Sequence, residues 1–485
     1  MTSSPPPRIV SEPDVRSARA GALKQGSIGV FGAAIMAIAA ISPLTTMSSN
    51  LSMSLVLGVG PATVLVILLT VLVFLFFTAG YVVLGRYVVD SGAYSAYVAH
   101  GLGRTAGSAI AVIATLGYNL AVVAFCGVAG YFLDSAFEPL GLDLPWWLYS
   151  LLVVALTGVL GYLGADVASK VTSLICGTQF LLLGAFVVAV LVRNPSGFQL
   201  DVLAPSGLTG GAFGLSIVFV LLSLASFETT AAYGEETRDP HRTVPRAMYL
   251  ALFLLAGLFT VGSWAVVAGM NGAPRDVAQS GPGEIVPELF GFYLGSWTST
   301  PLKFVIAISI IGAAIAFHNL ATRYMFSSAR SGLFWSALSR TNSRRKTPHN
   351  AVLCQLLITI VFLIPFVVAG ADPMAGLLPA IAGYNSLSMI TKMGTASVSV
   401  IAASVRGRIT GSLYATRIAP GLATLGFLAA GFLIVGHYSQ VTESTAAWVN
   451  WMPLLLVVCA GYGALRHQHL RRRQQTGQEA PELAT

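Results

Sequence analysis

Residues 39–47 read Ala39-Ala40-Ile41-Ser42-Pro43-Leu44-Thr45-Thr46-Met47 and lie halfway along an apolar run from 28 to 57. The run is long enough to cross a bilayer as one helix. Pro43 has no N–H group and its ring clashes with the carbonyl of Ala39, while Ser42 is biased away from helical conformation by the proline that follows it. The stretch predicts a break in the first membrane span, and it leaves a simple proline kink open as the alternative.

A break at this depth creates binding groups. Inside a bilayer every backbone N–H and C=O needs a partner, so an interrupted helix is costly unless it lines a cavity. A half-helix that starts again after Pro43 presents new N–H groups, and helix N-termini attract anions such as a carboxylate. We therefore predict a substrate carboxylate site formed by Ser42, Leu44, Thr45 and Thr46.

The composition places the whole chain in lipid. Of its 485 residues 55% are hydrophobic and 9% are charged, whereas soluble proteins carry roughly a quarter charged residues. The net charge of +8 does not indicate nucleic-acid binding, because the basic residues lie in short clusters between apolar runs. The four cysteines form no CxxC pair, so we expect neither a disulfide framework nor a metal or other cofactor.

The apolar runs predict about twelve transmembrane helices, each near the length of about 20 residues that a bilayer requires. They lie near 28–57, 61–85, 106–132, 146–164, 171–192, 211–233, 247–270, 304–326, 351–370, 374–402, 419–437 and 447–465.

The basic residues orient these spans. With both termini on one side, nearly all of the 27 Lys and Arg residues lie in loops on that side, and the opposite loops hold only Arg193, Arg275 and Lys303. The positive-inside rule makes the first side cytoplasmic. The sequence therefore predicts a multi-pass protein of the plasma (inner) membrane with both termini in the cytoplasm.

The sixth span contains a second interruption. It reads Leu222-Ser223-Leu224-Ala225-Ser226-Phe227-Glu228-Thr229-Thr230, with small and polar residues at mid-span and then a carboxylate. An ionisable residue inside the membrane is a functional hypothesis by default. We predict that Leu224, Ala225, Ser226 and Phe227 bind substrate and that Glu228 couples transport to protons; a capping or pairing role nearer the interface is the alternative for Glu228.

Two broken spans five helices apart are typical of transporters built from inverted repeats. The predicted fold is an all-α integral membrane protein with a 5+5 inverted repeat and discontinuous helices 1 and 6. Its predicted parts are a disordered cytoplasmic N-terminus 1–24, a first repeat 25–192, a second repeat 193–402, helices 11 and 12 in 403–465 and a cytoplasmic tail 466–485, which we also expect to be disordered.

The sequence after the sixth span resembles a known family. The segment is Phe227-Glu228-Thr229-Thr230-Ala231-Ala232-Tyr233-Gly234-Glu235-Glu236-Thr237-Arg238-Asp239-Pro240-His241-Arg242-Thr243-Val244-Pro245-Arg246-Ala247. It resembles the signature of the amino acid–polyamine–organocation permeases. Weaker matches follow the family's order: Ser91-Gly92-Ala93-Tyr94, Arg323-Tyr324-Met325 and Gly394-Thr395.

The resemblance covers roughly residues 24 to 410 and carries several implications. It implies a leucine-transporter-like fold and proton-coupled symport or exchange of an amino acid or related amine, with Na⁺ as an alternative coupling ion. The chain also departs from the family pattern. Ser42-Pro43-Leu44 replaces a glycine-rich break, Ser226 replaces a glycine, and Gln179 lies near the position where some members carry a lysine as a sodium surrogate.

Polar residues in other spans complete the candidate site. Lys392 in the tenth span is interpreted as a fixed counter-charge, with snorkelling or a carbonyl partner as the alternative. The other candidates are Tyr118 and Asn119, which would flank the substrate in the third span; His318 and Asn319 in the eighth span, near an ion position or simply packed; and Arg238 and Arg242 in the inner loop, as a positive anchor and a salt-bridged gate.

The sequence bears on three other functions. A membrane-embedded enzyme needs convergent catalytic groups within the spans, such as paired carboxylates or HExxH, and the sequence has neither. A non-transporting nutrient sensor on the same fold and a same-fold carrier of another small solute stay open, because fold does not fix specificity.

Overall fold

The computed structural model of the chain describes residues 29–88, 94–163, 166–208, 210–225, 227, 230, 239–341 and 348–475. Every regular element among these residues is a helix, as the apolar runs predict. The predicted N-terminal segment 1–24 lies outside the described residues.

The helices of the first half follow the predicted spans closely. They are α1 (Val30–Ile41), α2 (Pro43–Thr46), α3 (Ser52–Val56), α4 (Thr63–Gly85), α5 (Tyr94–Leu102), α6 (Arg104–Phe137), α7 (Trp146–Leu163), α8 (Asp166–Arg193) and α9 (Gly210–Leu224). A π-helical turn, Met47–Leu51, joins α2 to α3.

The second half continues the pattern, and short helices lie between its long ones, two of them before the predicted eighth span. The elements are α10 (Pro240–Gly272), α11 (Arg275–Ala278), α12 (Ile285–Leu294), α13 (Ser299–Arg330), α14 (His349–Val368), α15 (Leu378–Val405), α16 (Ala419–Gly436), α17 (Tyr438–Val441), α18 (Ala447–Asn450) and α19 (Leu454–Gln475).

Several helices have the length and composition of membrane spans. Among the described residues seven helical stretches qualify, or eight if the bent pair Gly177–Arg193 and Pro195–Leu203 is one span. The outer helices α16 and α19 expose large apolar side chains, such as Phe432 at 80% and Val457 at 68%. Soluble proteins rarely leave such continuous apolar surfaces in water. These features are those of a multi-pass membrane protein.

The long helix α6 forms the centre of the bundle. It packs against α5, α7, α13, α15 and α19. Close approach to α15 depends on Gly117, where an added Cβ would lie 2.7 Å from Oγ of Ser388. Small residues allow membrane helices to approach in this way. Helix α6 therefore connects the elements that carry the candidate residues.

The prediction of a disordered tail after 465 is wrong for residues 466–475. Helix α19 continues to Gln475. Its extension is held against the turn after α13, since Arg466 Nε donates to the carbonyl of Gly332 at 3.0 Å and the Tyr462 hydroxyl donates to that of Leu333 at 2.7 Å. These tertiary bonds could not be read from the polar composition of the tail.

Candidate functional site

The first span is broken where Pro43 predicts a break. Helix α1 ends at Ile41, and Ser42 adopts the left-handed conformation with φ 56° and ψ 84° before Pro43 opens α2. Among the described residues Ser42 and Glu443 alone have a positive φ without being glycine. A simple kink would keep right-handed dihedral angles, so the structure has a true interruption in a buried helix.

Two other helices supply hydrogen-bond partners to the residues at the break. The Ser42 hydroxyl donates to the carbonyl of Ser309 on α13 at 3.1 Å. The N–H of Leu44 donates to Oε1 of Gln179 on α8 at 3.0 Å, and Nε2 of Gln179 donates to the Ser309 hydroxyl at 2.9 Å. The break is therefore built into a buried polar junction of α1, α2, α8 and α13.

The threonines after the break are also buried and turned inward. The Thr46 hydroxyl donates to the carbonyl of Ile41 at 3.0 Å, which replaces part of the interrupted helical bonding. The Thr45 hydroxyl lies 3.5 Å from the carbonyl of Ile306 on α13, at the limit of a hydrogen bond. Thr45 is thus the more weakly engaged of the two hydroxyls and the freer one for a ligand.

The regular helix of the predicted sixth span ends earlier than the apolar run does. Helix α9 stops at Leu224, which is fully buried, and Ala225 is partly buried. Phe227 is also fully buried, with its ring 5.2 Å from that of Phe74 and 6.3 Å from that of Phe77. Its side chain therefore packs among aromatic rings. The candidates Ser226, Glu228 and Arg238 lie outside the described residues.

Lys392 lies halfway along α15 and points into the protein. Its Nζ is 4.3 Å from the centroid of the Tyr118 ring and 5.7 Å from that of Tyr94, and 6% of the residue is exposed. Tyr118 in turn packs on Phe317 and Tyr324 of α13. A snorkelling lysine would extend to the membrane surface, whereas this ammonium lies between inward-facing aromatic rings.

Asn119, which follows Tyr118 on α6, is 1% exposed. Its Nδ2 donates to the carbonyl of Thr115 at 2.7 Å. Its Oδ1 accepts no hydrogen bond from any described residue. One polar atom of this side chain is therefore left for a ligand or water.

His318 faces away from the break. Its Nδ1 lies 2.5 Å from Oε1 of Gln355 on α14, and a Cβ at Gly161 on α7 would lie 2.5 Å from its Nε2. His318 and Ser309 are nine residues apart on one helix, which places them on opposite faces. The neighbouring Asn319 is partly buried and its carbonyl accepts from the Thr322 hydroxyl. The structure thus separates His318 from the polar junction.

Arg242 lies at the surface near the start of α10. Its Nε is 3.7 Å from Asp239, and the two side chains are 79% and 49% exposed. Ion pairs this exposed contribute little to stability. The geometry is that of a solvated anchor.

Two polar groups in the structure were missed as site residues by the sequence analysis. Gln179 was noted only as a departure from the family, and Ser309 was not singled out. The available signal was a polar side chain in an otherwise apolar span, which is costly unless partnered. Their partners are 135 and 267 residues away in sequence, so no local pattern identifies them.

A second polar cluster lies at the C-terminal end of α6. Lys303 Nζ is 2.7 Å from Glu284 and donates to the Ser135 hydroxyl at 2.7 Å. The hydroxyls of Ser135 and Tyr131 donate to Glu284 at 2.8 and 3.1 Å. The cluster fastens the segment before α12 to α6 and α13.

In the described residues no group of His, Cys, Asp and Glu could hold a metal ion.

A bundle of apolar helices with a buried polar break is typical of membrane transport proteins. Comparison with known families specifies the class. The family model described as amino acid permease matches residues 28–468. The chain belongs to this family, within the amino acid–polyamine–organocation superfamily, and the family identifies it as a permease rather than an enzyme.

Similar curated proteins agree with this assignment. The chain is 25% identical over 421 residues to the branched-chain amino acid permease BcaP of Lactococcus lactis, covering 80% of this chain and 85% of the relative. It is 24% identical over 361 residues to BcaP of Bacillus subtilis, covering 70% and 72%. It is 20% identical over 228 residues to an aspartate-proton symporter of Bacillus subtilis, covering 45% and 43%.

Proposed function

We propose that the chain is a secondary active transporter that carries amino acids across the plasma membrane by proton-coupled symport or exchange. The observation that carries the proposal is the break at Ser42, a buried polar junction in the middle of a membrane helix. Such an interruption is costly unless it lines a binding cavity. The names of the relatives support amino acids as the substrate class, and that of the aspartate-proton symporter supports the proton.

The proposal includes the finer architecture. It consists of twelve spans, a 5+5 repeat of 25–192 and 193–402, and cytoplasmic termini. This architecture is consistent with the membrane-length helices and with the distribution of Lys and Arg. In this arrangement the substrate lies at the midplane beside the break. Thr45, Thr46, Tyr118 and Asn119 line its surroundings, and Glu228 carries the coupling proton.

Uptake into proteoliposomes tests the proposal directly. Purified protein is reconstituted, and radiolabelled branched-chain amino acids, aspartate and small amines are offered with an inward proton gradient, with a sodium gradient or with neither. We expect uptake of at least one α-amino acid above that of protein-free liposomes, stimulated by the proton gradient and unaffected by sodium. Substrate binding without uptake would instead identify a nutrient sensor.

A further inference from the structure

The last long helix, α19, has an outward face that is apolar over its first three turns. Leu454, Val458 and Leu465 are each at least half exposed, and the helical repeat places them within about 40° of one another around the axis. On the opposite face Gly463 packs against α6, where an added Cβ would lie 2.6 Å from the carbonyl oxygen of Ser108. In a multi-pass membrane protein an exposed apolar face of this kind contacts the acyl chains of lipids.

The same face of α19 becomes basic beyond Leu465. Arg472 lies seven residues further along the continuous helix, which places it on the same face and about 10 Å along the axis. Arg471 and Arg473 flank it, and all three side chains are exposed. Arginines at the end of a membrane helix extend their charged groups to the level of the lipid headgroups. The apolar face and the arginines therefore match the two parts of a phospholipid, its acyl chains and its phosphate.

Tertiary contacts fix the position of this basic end. Arg466 Nε donates to the carbonyl of Gly332 in the turn after α13, at 3.0 Å. An added Cβ at Gly332 would lie 3.2 Å from Cδ1 of Leu470, so Leu470 also packs against that turn. A loose tail would carry the same charge without a defined geometry. Here the inner side of the helix is docked, and its outer side presents the arginines.

An exposed tryptophan lies in the same turn. Trp335 is 84% exposed, and it follows Phe334, whose ring stacks on that of Tyr462 in α19 with centroids 6.3 Å apart. Tryptophan is enriched where a membrane meets water. The turn after α13 therefore marks the membrane surface beside the point where the outward face of α19 changes from apolar to basic.

We propose that this surface binds an anionic phospholipid, with its phosphate at the arginines of 471–473 and an acyl chain along Leu454, Val458 and Leu465. The inference rests on the proposed twelfth span and cytoplasmic C-terminus, because anionic lipids of the cytoplasmic leaflet attract basic segments next to a membrane helix. Guanidinium groups suit the site, since their planar donors match phosphate oxygens. A zwitterionic lipid carries no net charge and binds more weakly.

Lipid titration followed by native mass spectrometry tests this assignment. The full chain is purified in detergent and titrated with dioleoyl phosphatidylglycerol or dioleoyl phosphatidylcholine, and an apparent Kd is obtained for each. We expect the wild type to bind the phosphatidylglycerol more tightly. The triple variant Arg471→Gln, Arg472→Gln, Arg473→Gln should weaken that binding on the order of a hundredfold, at about fivefold for each arginine. It should leave phosphatidylcholine binding unchanged, and replacing the same three arginines by Lys should keep most of the affinity.

The control is the double variant Arg193→Gln, Arg275→Gln, which removes exposed arginines outside this surface and should keep the wild-type Kd. Unchanged phosphatidylglycerol binding in the triple Gln variant would overturn the inference, and so would an equal loss in the control. Competition by water-soluble glycerol phosphate at the Kd of the lipid would also overturn it, because it would identify a site for a soluble anion. The measurement needs no transport, so a chain that binds the lipid as expected and transports no amino acid would contradict the proposed function alone.

Discussion

The backbone N–H of Leu44 donates to Oε1 of Gln179 at 3.0 Å, so that an amide on α8 satisfies the donor that the break in helix 1 releases. Nε2 of the same amide donates to the Ser309 hydroxyl on α13. An amide is suited to this position because it accepts and donates at once, and it is neutral in a low dielectric. Gln179 therefore holds three helices at the centre of the candidate site.

Gln179→Leu should destabilise the protein by about 1–3 kcal/mol, since it leaves a buried N–H without an acceptor. A lower apparent Tm of the purified protein in detergent, read from intrinsic fluorescence, measures the effect. The control is Gln279→Leu, because Gln279 is exposed and its partner is the exposed Arg275. Equal melting temperatures for the two variants would show that the Gln179 amide is not structural.

The left-handed conformation of Ser42 gives a second prediction. Such a backbone costs an L-residue roughly 1–2 kcal/mol and costs glycine nothing. The Ser42 hydroxyl offsets this through its bond to Ser309, worth about 1 kcal/mol. Ser42→Gly should therefore fold and transport nearly as the wild type does. Ser42→Val loses the bond and adds a β-branched side chain, so we expect low uptake and a lower Tm. A fully active Ser42→Val would contradict the strained break.

These residues show which features of the site the sequence predicts and which it does not. The break was predictable because Pro43 acts through its own ring and its neighbours, which are local effects. The bond between Leu44 and Gln179 was not, since it spans 135 residues and depends on how α8 packs against α2. Glu284 lies in a loop between two predicted spans, yet it forms an ion pair with Lys303 and keeps 26% of its side chain exposed. Loop composition does not reveal that a buried lysine lies opposite.

The ion pair of Lys303 with Glu284 should contribute to stability, and the effects of changing its two residues should be energetically coupled. Lys303→Met removes the cation from Glu284, and we expect a loss below the roughly 3–5 kcal/mol typical of a fully buried pair, because Glu284 is partly solvated. Glu284→Gln leaves Lys303 buried without its counter-charge, so it should also destabilise. The double variant should lose less than the sum of the two. A double-mutant cycle on Tm measures this, and strictly additive effects would mean that the pair is not coupled.

The packing of His318 against Gly161 gives a prediction about stability and substrate affinity. Gly161→Ala places a methyl group 2.5 Å from Nε2 of His318, so the ring must shift at a cost of about 1–3 kcal/mol. Gly184→Ala is the matched control, because nothing lies within 4 Å of its added Cβ and alanine favours the helix. We expect a lower Tm for the first variant alone, with an unchanged KM in both, since His318 faces away from the break. A raised KM in Gly161→Ala would show that His318 contributes to the substrate site.

Glu228 is the acid that the sequence places inside the sixth span, and it lies outside the described residues. A carboxylate can carry a proton across the transport cycle, and a carboxamide of the same shape cannot. Glu228→Gln should therefore lose the stimulation of uptake by an inward proton gradient, while exchange of labelled for unlabelled substrate without a gradient persists. Glu138→Gln, which alters an exposed loop acid, is the control. Gradient-driven uptake that survives in Glu228→Gln with its pH dependence intact would assign the coupling proton to another group. Loss of exchange together with uptake would indicate that Glu228 is needed for substrate binding itself.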